Sequence, residues 1–151
     1  MLQYVAIGSD AGETNIHVAV ADDSSSLLPI SAIQESLFPG TGEIRTETIK
    51  MGRLADFVSV GDINIPAMLK LDVQGFELEA LRGCEDLLEC FAYVYAECSF
   101  VELYTGQPLA DEVILWLRER NFHLRGVYKV FYDNKGQAIQ GDFLFKRNSC
   151  E

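Results

Sequence analysis

Three carboxylates stand where chemistry is possible. Asp72 ends the apolar run in "LKLDVQGFE" (69–77), Glu77 opens the segment after Gly75, and Glu97 lies near the end of "FAYVYAECS" (91–99). Burying a polar group without a partner costs on the order of several kcal/mol, and an unpaired charge costs more. An acid at a strand end therefore belongs at a mouth, where a ligand or a metal can meet it. If the strands carrying Asp72 and Glu97 are neighbours, their carboxylates share a rim, with Glu77 opening the helix between them. Such a cluster can bind a divalent cation, accept a proton from a hydroxyl or orient a substrate. Gly75 allows a sharp turn or close approach of a ligand to the backbone. The plainer alternatives are that Glu77 favours a helix amino terminus and that Glu97 pairs with a nearby Lys or Arg.

The remaining chemistry-bearing residues are less pointed. His17 and His123 are isolated in strand-like contexts and read as structural or surface residues. Ser24, Ser25 and Ser26 lack the strand–turn–helix setting of a nucleophile elbow and read as a hydrogen-bonding loop. Phe131, Tyr132 and Phe143 read as core, while Phe100 and Tyr104 follow a strand end and can wall a pocket. Cys84, Cys90, Cys98 and Cys150 form no CxxC pair and have no His at metal-ligand spacing, which points to a reducing compartment and a cytoplasmic protein. There is no Walker motif and no HExxH.

Composition narrows the class. A net charge of −11 argues against nucleic acid, because a phosphate backbone needs clustered Lys and Arg. No apolar run approaches the ~18 residues of a membrane span, and the amino terminus lacks a basic region followed by an apolar one. At 151 residues one domain is expected over 1–151, with a strand, hairpin and loop region over 1–65 and an alternating core over 66–151.

The elements that must position the carboxylates follow from periodicity. "YVAI" (4–7) and "NIHVAVA" (15–21) read as a strand and a hairpin arm around the turn-rich "GSDAGET". Residues 22–42 read as loop, "EIRTETIKM" (43–51) as a strand and "RLADFVSV" (53–60) as a short helix. The pattern then predicts a strand over 67–73, a helix over 77–88, a strand over 91–99 and a helix opening at Pro108. Asp111 and Glu112 in the first turn of that helix, with Arg118 and Arg120 in its last, complement its dipole. A hairpin over 123–133 and 137–147 closes the chain. Alternating strands and helices argue for an α/β fold with a parallel sheet, to which the closing hairpin adds an antiparallel strand. Ligands of such sheets sit beyond the carboxyl ends of the strands, which puts Asp72 at the functional rim.

"LKLDVQGFELEALRG" (69–83), "VYAECSFVELYTGQPLADEV" (94–113) and "GDFLFKR" (141–147) together resemble the FkbM family of methyltransferases. Upstream, "VAIGSDAGETNIHVAV" and "SSSLL" resemble that family's third-strand region and the loop after it. The resemblance implies a partial class I (Rossmann-like) sheet, mostly parallel with a carboxyl-terminal antiparallel hairpin. It implies methyl transfer from S-adenosylmethionine to a hydroxyl of a sugar or secondary metabolite. Asp72 would then sit beside the reacting methyl, with Glu97 as its catalytic partner. Glu77, Phe100 and Tyr104 would serve the acceptor, and Ala6, Ile7, Gly8 and Ser9 would follow the strand that passes the adenine.

One departure accompanies the resemblance. The family's domain opens with a strand, a glycine-rich turn and a helix, then a second strand carrying an acid for the ribose. This sequence is expected to start at about the third strand, without that primary cofactor motif, since a hairpin arm follows "GSDAG" (8–12). In the class I order 3-2-1-4-5-7-6, the strand at 67–73 would then present an open apolar edge. Either the amino-terminal strands pair onto it or two chains form a homodimer through it. Two other functions compete: a non-catalytic binding or oligomerisation module, and a metal-dependent hydrolase built on Asp72, Glu77 and Glu97.

Overall fold

Nine residues, "FAYVYAECS", organise the larger half of the molecule. In the computed structural model, which describes residues 5–148, they form β5 (Phe91–Ser99). Val94, Ala96 and Cys98 are buried on one face, while Tyr93, Tyr95 and Glu97 point to the other and are half-buried. β4 (Ala67–Leu71) lies parallel to one side of β5. β7 (Ala138–Arg147) lies antiparallel on the other side, and β6 (Phe122–Tyr132) pairs antiparallel beyond it. The sheet order is β4-β5-β7-β6.

The protein is therefore mixed α/β, but the expected predominance of parallel pairing is not met. One strand pair of this sheet is parallel and two are antiparallel. The closing hairpin inserts β7 directly beside β5, so even the central strand has one neighbour of each kind.

Two helices cover one face of this sheet. α2 (Glu77–Gly83) and α3 (Ala110–Arg118) touch each other and β5. Leu81, Val113 and Leu117 from the helices join Val94, Phe143 and Phe145 from the strands in one core. Each fully buried side chain of this size contributes about 1.5–3 kcal/mol. Glu112 accepts a hydrogen bond from the Leu109 backbone N–H at 2.9 Å, and the Arg120 guanidinium lies 3.7 Å from the centre of the Trp116 ring, just past the last turn.

The amino-terminal segment forms a second sheet. β1 (Ala6–Ile7) runs parallel to β3 (Glu43–Gly52), and β2 (Gly12–Ala19) runs antiparallel to it, in the order β1-β3-β2. The expected hairpin between the first two strands is replaced by this arrangement. Ala6 and Gly12 both stand in register with Met51, one on each side of β3. Tyr4, the first residue of that expected strand, lies outside the described residues. Both strands pair with β3 in a separate sheet, and neither pairs onto β4. Re-pairing of the amino-terminal strands onto that edge is therefore corrected. Among the described residues β4 has one neighbour, and its exposed positions carry Met68 and Lys70.

Three local readings also change. Residues 53–60 are not a helix; 3-10 turns occupy Leu54–Asp56 and Val60–Asp62. Asp56 and Asp62 accept from the backbone N–H groups of Arg53 and Ser59 at 2.8 and 3.0 Å, and such local bonds compete with a continuing helix. The loop over 22–42 contains α1 (Ala32–Leu37), capped by Ser31, whose Oγ accepts from the Gln34 N–H at 3.2 Å. The expected helix over 77–88 is α-helical only to Gly83 and continues as a 3-10 segment, Glu85–Cys90. No helix among the described residues is long and apolar enough to cross a membrane. Cys84, Cys90 and Cys98 are free thiols, and Cys150 lies outside the described residues.

The amino-terminal sheet meets α2 at Gly83. A Cβ there would run into the backbone N, C and O of Gly8, none of which can swing aside as a side chain would. Overpacking of this kind costs ~1–3 kcal/mol. Gly83→Ala should therefore lower the unfolding free energy measured by urea titration by an amount at the top of that range, whereas Gly136→Ala, in open space at the hairpin turn, should act only through its backbone φ of 80°.

Candidate active site

The turn after β4 builds the site. Gln74 and Gly75 both adopt left-handed backbone, at φ 49° and 91°. The Tyr104 ring packs against the Gly75 α-carbon so closely that a Cβ would sit 3.0 Å from it. The Tyr104 hydroxyl donates to Gln74 Oε1 at 2.9 Å, and Gln74 Nε2 donates to Asp72 Oδ1 at 2.8 Å. Ser26 Oγ donates to the Gln74 carbonyl at 2.5 Å, and the Gly75 N–H donates to Glu77 Oε1 at 3.2 Å. Asp72 is thus oriented by a chain of side chains reaching back to a buried tyrosine.

Strand register brings the acids together. Leu71 is paired with Ala96, so the next residues, Asp72 and Glu97, are neighbours across the parallel pair. Glu97 is in turn paired with Asp142 across β5 and β7. Three carboxylates therefore form a row on the face of the sheet away from the helices. Tyr95 donates to Asp142 at 2.8 Å and Gln140 donates to Glu97 at 3.2 Å, while Lys70 and Lys129 ion-pair with Asp72 and Asp142 at 3.4 and 3.5 Å. Burial, then the charges of Asp72 and Asp142, pushes the Glu97 carboxyl up to about 7.

Two cavities adjoin this row. An apolar one of about 400 Å³ lies between the sheets, walled by Ala6, Ile7, Leu69, Leu71 and Phe76 together with Asp72. A polar one of about 250 Å³ is walled by Asp72, Glu97, Gln74, Gln140 and Gln34, with the ring of Phe38. Asp72 lines both.

The expected site residues separate into groups. Asp72 and Glu97 come together, and Ala6 and Ile7 line the apolar cavity beside Asp72. Gly8 and Ser9 do not line it; the Gly8 N–H donates to the Gly52 carbonyl at 3.1 Å and Ser9 Oγ to Glu79 at 2.9 Å. Tyr104 is 1% exposed and reaches the site through Gln74, and burial raises its hydroxyl pKa. Phe100 lines neither cavity; it is 40% exposed, with its ring 5.6 Å from that of Phe143. Glu77, 3% exposed, closes the turn and also lines neither cavity. Among the described residues no group of three or more His, Cys, Asp or Glu side chains can hold a metal ion, so the hydrolase reading has no metal site there.

The model of the methyltransferase FkbM domain matches residues 2–124. The chain belongs to this family. The match takes in β1 through α3, and with them Asp72, Glu97, Gln74 and Tyr104, so this FkbM domain carries its carboxylate pair within the matched segment. Methyl transfer is the chemistry that membership indicates. No curated protein and no solved structure matches the chain.

Several site residues carried no sequence signal of their own. Gln34 and Phe38 sit in a stretch that reads as loop, and Asp142 is one polar position in an alternating strand. Gln74 lies inside "LKLDVQGFE", where a left-handed position before glycine was the available clue.

Burial has a measurable consequence at Glu77. Its carboxyl is pushed up to about 7 by burial, partly opposed by backbone N–H groups and reinforced by Glu97. A folded pKa above the unfolded value means that the native state binds the extra proton. The stability this adds is fully present below about pH 4.5 and is lost as pH rises through about 7. Urea titrations should show wild type losing stability between pH 5 and pH 8, with a smaller loss in Glu77→Gln, which keeps the acceptor for the Gly75 N–H.

Proposed function

We propose that this domain transfers a methyl group from S-adenosylmethionine to a hydroxyl of a sugar or secondary metabolite, with Asp72 and Glu97 as its catalytic carboxylates. The observation that carries this reading is the position of Asp72 on the common wall of an apolar and a polar cavity. Group transfer needs two ligands meeting at one point, and here two cavities of different character meet at one carboxylate. The reading of the chain as one class I domain draws support from the strand order β4-β5-β7-β6, which repeats the second half of the class I order.

The apolar cavity fits the cofactor. Its volume of about 400 Å³ falls in the ordinary range of ligand pockets, roughly 300–1,000 Å³. Ala6, Ile7, Leu69, Leu71 and Phe76 offer apolar walls suited to an adenine, and Asp72 offers a negative charge suited to a sulfonium. When bound, S-adenosylmethionine supplies an electrophilic methyl group.

The chain's own residues supply the rest. Gln74 and Tyr104 hold the Asp72 carboxylate in one orientation, which serves alignment of the reacting groups. Glu97 faces the polar cavity, where it can hold the acceptor hydroxyl and take its proton late in the transfer. A carboxyl at about 7 suits this role, since a general base works best with a pKa near the operating pH. Gln140 steadies Glu97 from the neighbouring strand.

Calorimetric titration with S-adenosylmethionine and a labelled-methyl transfer assay test the reading. Saturable binding is expected, and its absence would favour the non-catalytic binding module instead. Asp72→Asn keeps an acceptor for Gln74, so transfer should fall ~100-fold or more while the thermal midpoint stays within a few degrees. In wild type kcat/KM should rise with pH through about 7 as Glu97 ionises. Glu97→Gln should be slow and flat over that range, and an unchanged profile in this variant would remove Glu97 as the base.

A further inference from the structure

The polar cavity sets three carboxylates among the uncharged side chains of Ser24, Thr41, Gln34, Gln74 and Gln140. Asp23, Asp72 and Glu97 line it, and among the described residues no Lys or Arg does. The two ammonium groups nearest the row, Lys70 and Lys129, are already paired with Asp72 and Asp142, and their side chains are 61% and 81% exposed. Among the described residues neither Asp23 nor Glu97 is in an ion pair. Gln34 adds an independent observation. It is 5% exposed, it lines the cavity, and its buried Oε1 has no hydrogen-bond partner among the described residues. A buried acceptor left unsatisfied costs about 1–3 kcal/mol, a cost that a donor brought by a ligand would relieve.

We propose that the polar cavity takes an acceptor that carries a protonated amine as well as its hydroxyl, an amino alcohol of the amino-sugar class, and excludes anionic analogues. This rests on the methyl-transfer reading of Asp72 and names the substrate class of that site. An ammonium brings three donors and no acceptor, which complements carboxylates and the free Gln34 oxygen at once. Charge-assisted bonds to carboxylates are roughly twice as strong as neutral ones. The Phe38 ring, on the same wall, adds a face that attracts a cation and packs against a sugar ring. A phosphorylated or carboxylated acceptor would bring negative charge to a wall with no basic residue to receive it. At about 250 Å³ the space suits a single ring.

The test is calorimetric titration of the full chain at pH 7.5, without cofactor, with three ring compounds of similar size. These are 2-deoxystreptamine (two amines), myo-inositol (neutral) and glucuronate (anionic). The diamine should bind ~10-fold or more tightly than myo-inositol, and glucuronate should not bind. Added salt should weaken the diamine and leave myo-inositol unchanged. Asp23 is exposed and takes no part in orienting Asp72 or Glu97. Asp23→Asn should therefore cost the diamine ~5-fold without altering myo-inositol affinity. Gln34→Met, which removes the free acceptor, should weaken the diamine as well.

Equal affinity for diamine and inositol, binding of glucuronate, or an affinity ratio unmoved by Asp23→Asn overturns the inference. A chain that methylates myo-inositol and ignores the diamine also overturns it, with methyl transfer intact. Preferential diamine binding by a chain that transfers no methyl group supports the amine site and refutes the methyl-transfer reading.

Discussion

The left-handed turn at Gln74 and Gly75 is the constraint on which the site depends. Four separate parts of the chain converge on it. Ser26 from the amino-terminal region holds its carbonyl, Tyr104 from the segment after β5 packs on its α-carbon, Glu77 from α2 takes its N–H, and Asp72 from the end of β4 takes the Gln74 amide. A residue other than glycine at position 75 would face both an unfavourable φ and the Tyr104 ring. The turn therefore ties the amino-terminal region to the four-stranded sheet and fixes the orientation of Asp72 in the same act.

The rest of the electrostatics follows from the two faces of that sheet. The helices bury the face carrying Val94, Ala96 and Cys98, so the alternate face must hold Tyr95 and Glu97. Placing Glu97 level with Asp142 and next to Asp72 sets like charges side by side, an unfavourable arrangement in a sheet. The structure offsets it unevenly. Asp72 and Asp142 are each given a lysine, and Asp142 a tyrosine hydroxyl as well, while Glu97 receives an amide from Gln140. Burial, with these neighbouring charges, makes Glu97 the carboxyl of the row driven towards neutrality. This is the usual way in which one of several adjacent acids becomes a proton carrier near neutral pH.

Much of this was legible in the sequence, and the failures have physical causes. The strand ending at Asp72 and the strand bearing Glu97 show in their apolar runs and alternation, and their adjacency follows from a short strand–helix–strand connection. α3 shows in its apolar spacing and its charged ends. The order of the amino-terminal sheet was not legible, because pairing of β1 with β3 rather than β2 depends on a long-range contact that local pattern does not encode. α1 was hidden by flanking prolines, glycines and serines that resemble loop, and with it went Gln34 and Phe38. Asp142 looked like one more polar position on a half-exposed strand. Its significance comes only from register with Glu97, and a shift of one residue would have turned it to the other face. Sequence could point to Glu77 as an acid near the rim, but not that its carboxyl turns back onto its own turn and is sealed there.

The same register explains why recognition and chemistry need not compete for one carboxylate. Asp72 is shared between the two cavities and is held by Gln74 on one oxygen and Lys70 on the other. Glu97 opens only to the polar cavity, and Asp23 enters that cavity from the amino-terminal region, outside the row. On the proposed reading, an acceptor is attracted by Asp23 and the free oxygen of Gln34 while its hydroxyl lies at Glu97. A cation held elsewhere in the cavity would also lower the cost of ionising Glu97, since opposite charge favours the carboxylate. Binding the right acceptor would then help to produce the base that the transfer requires.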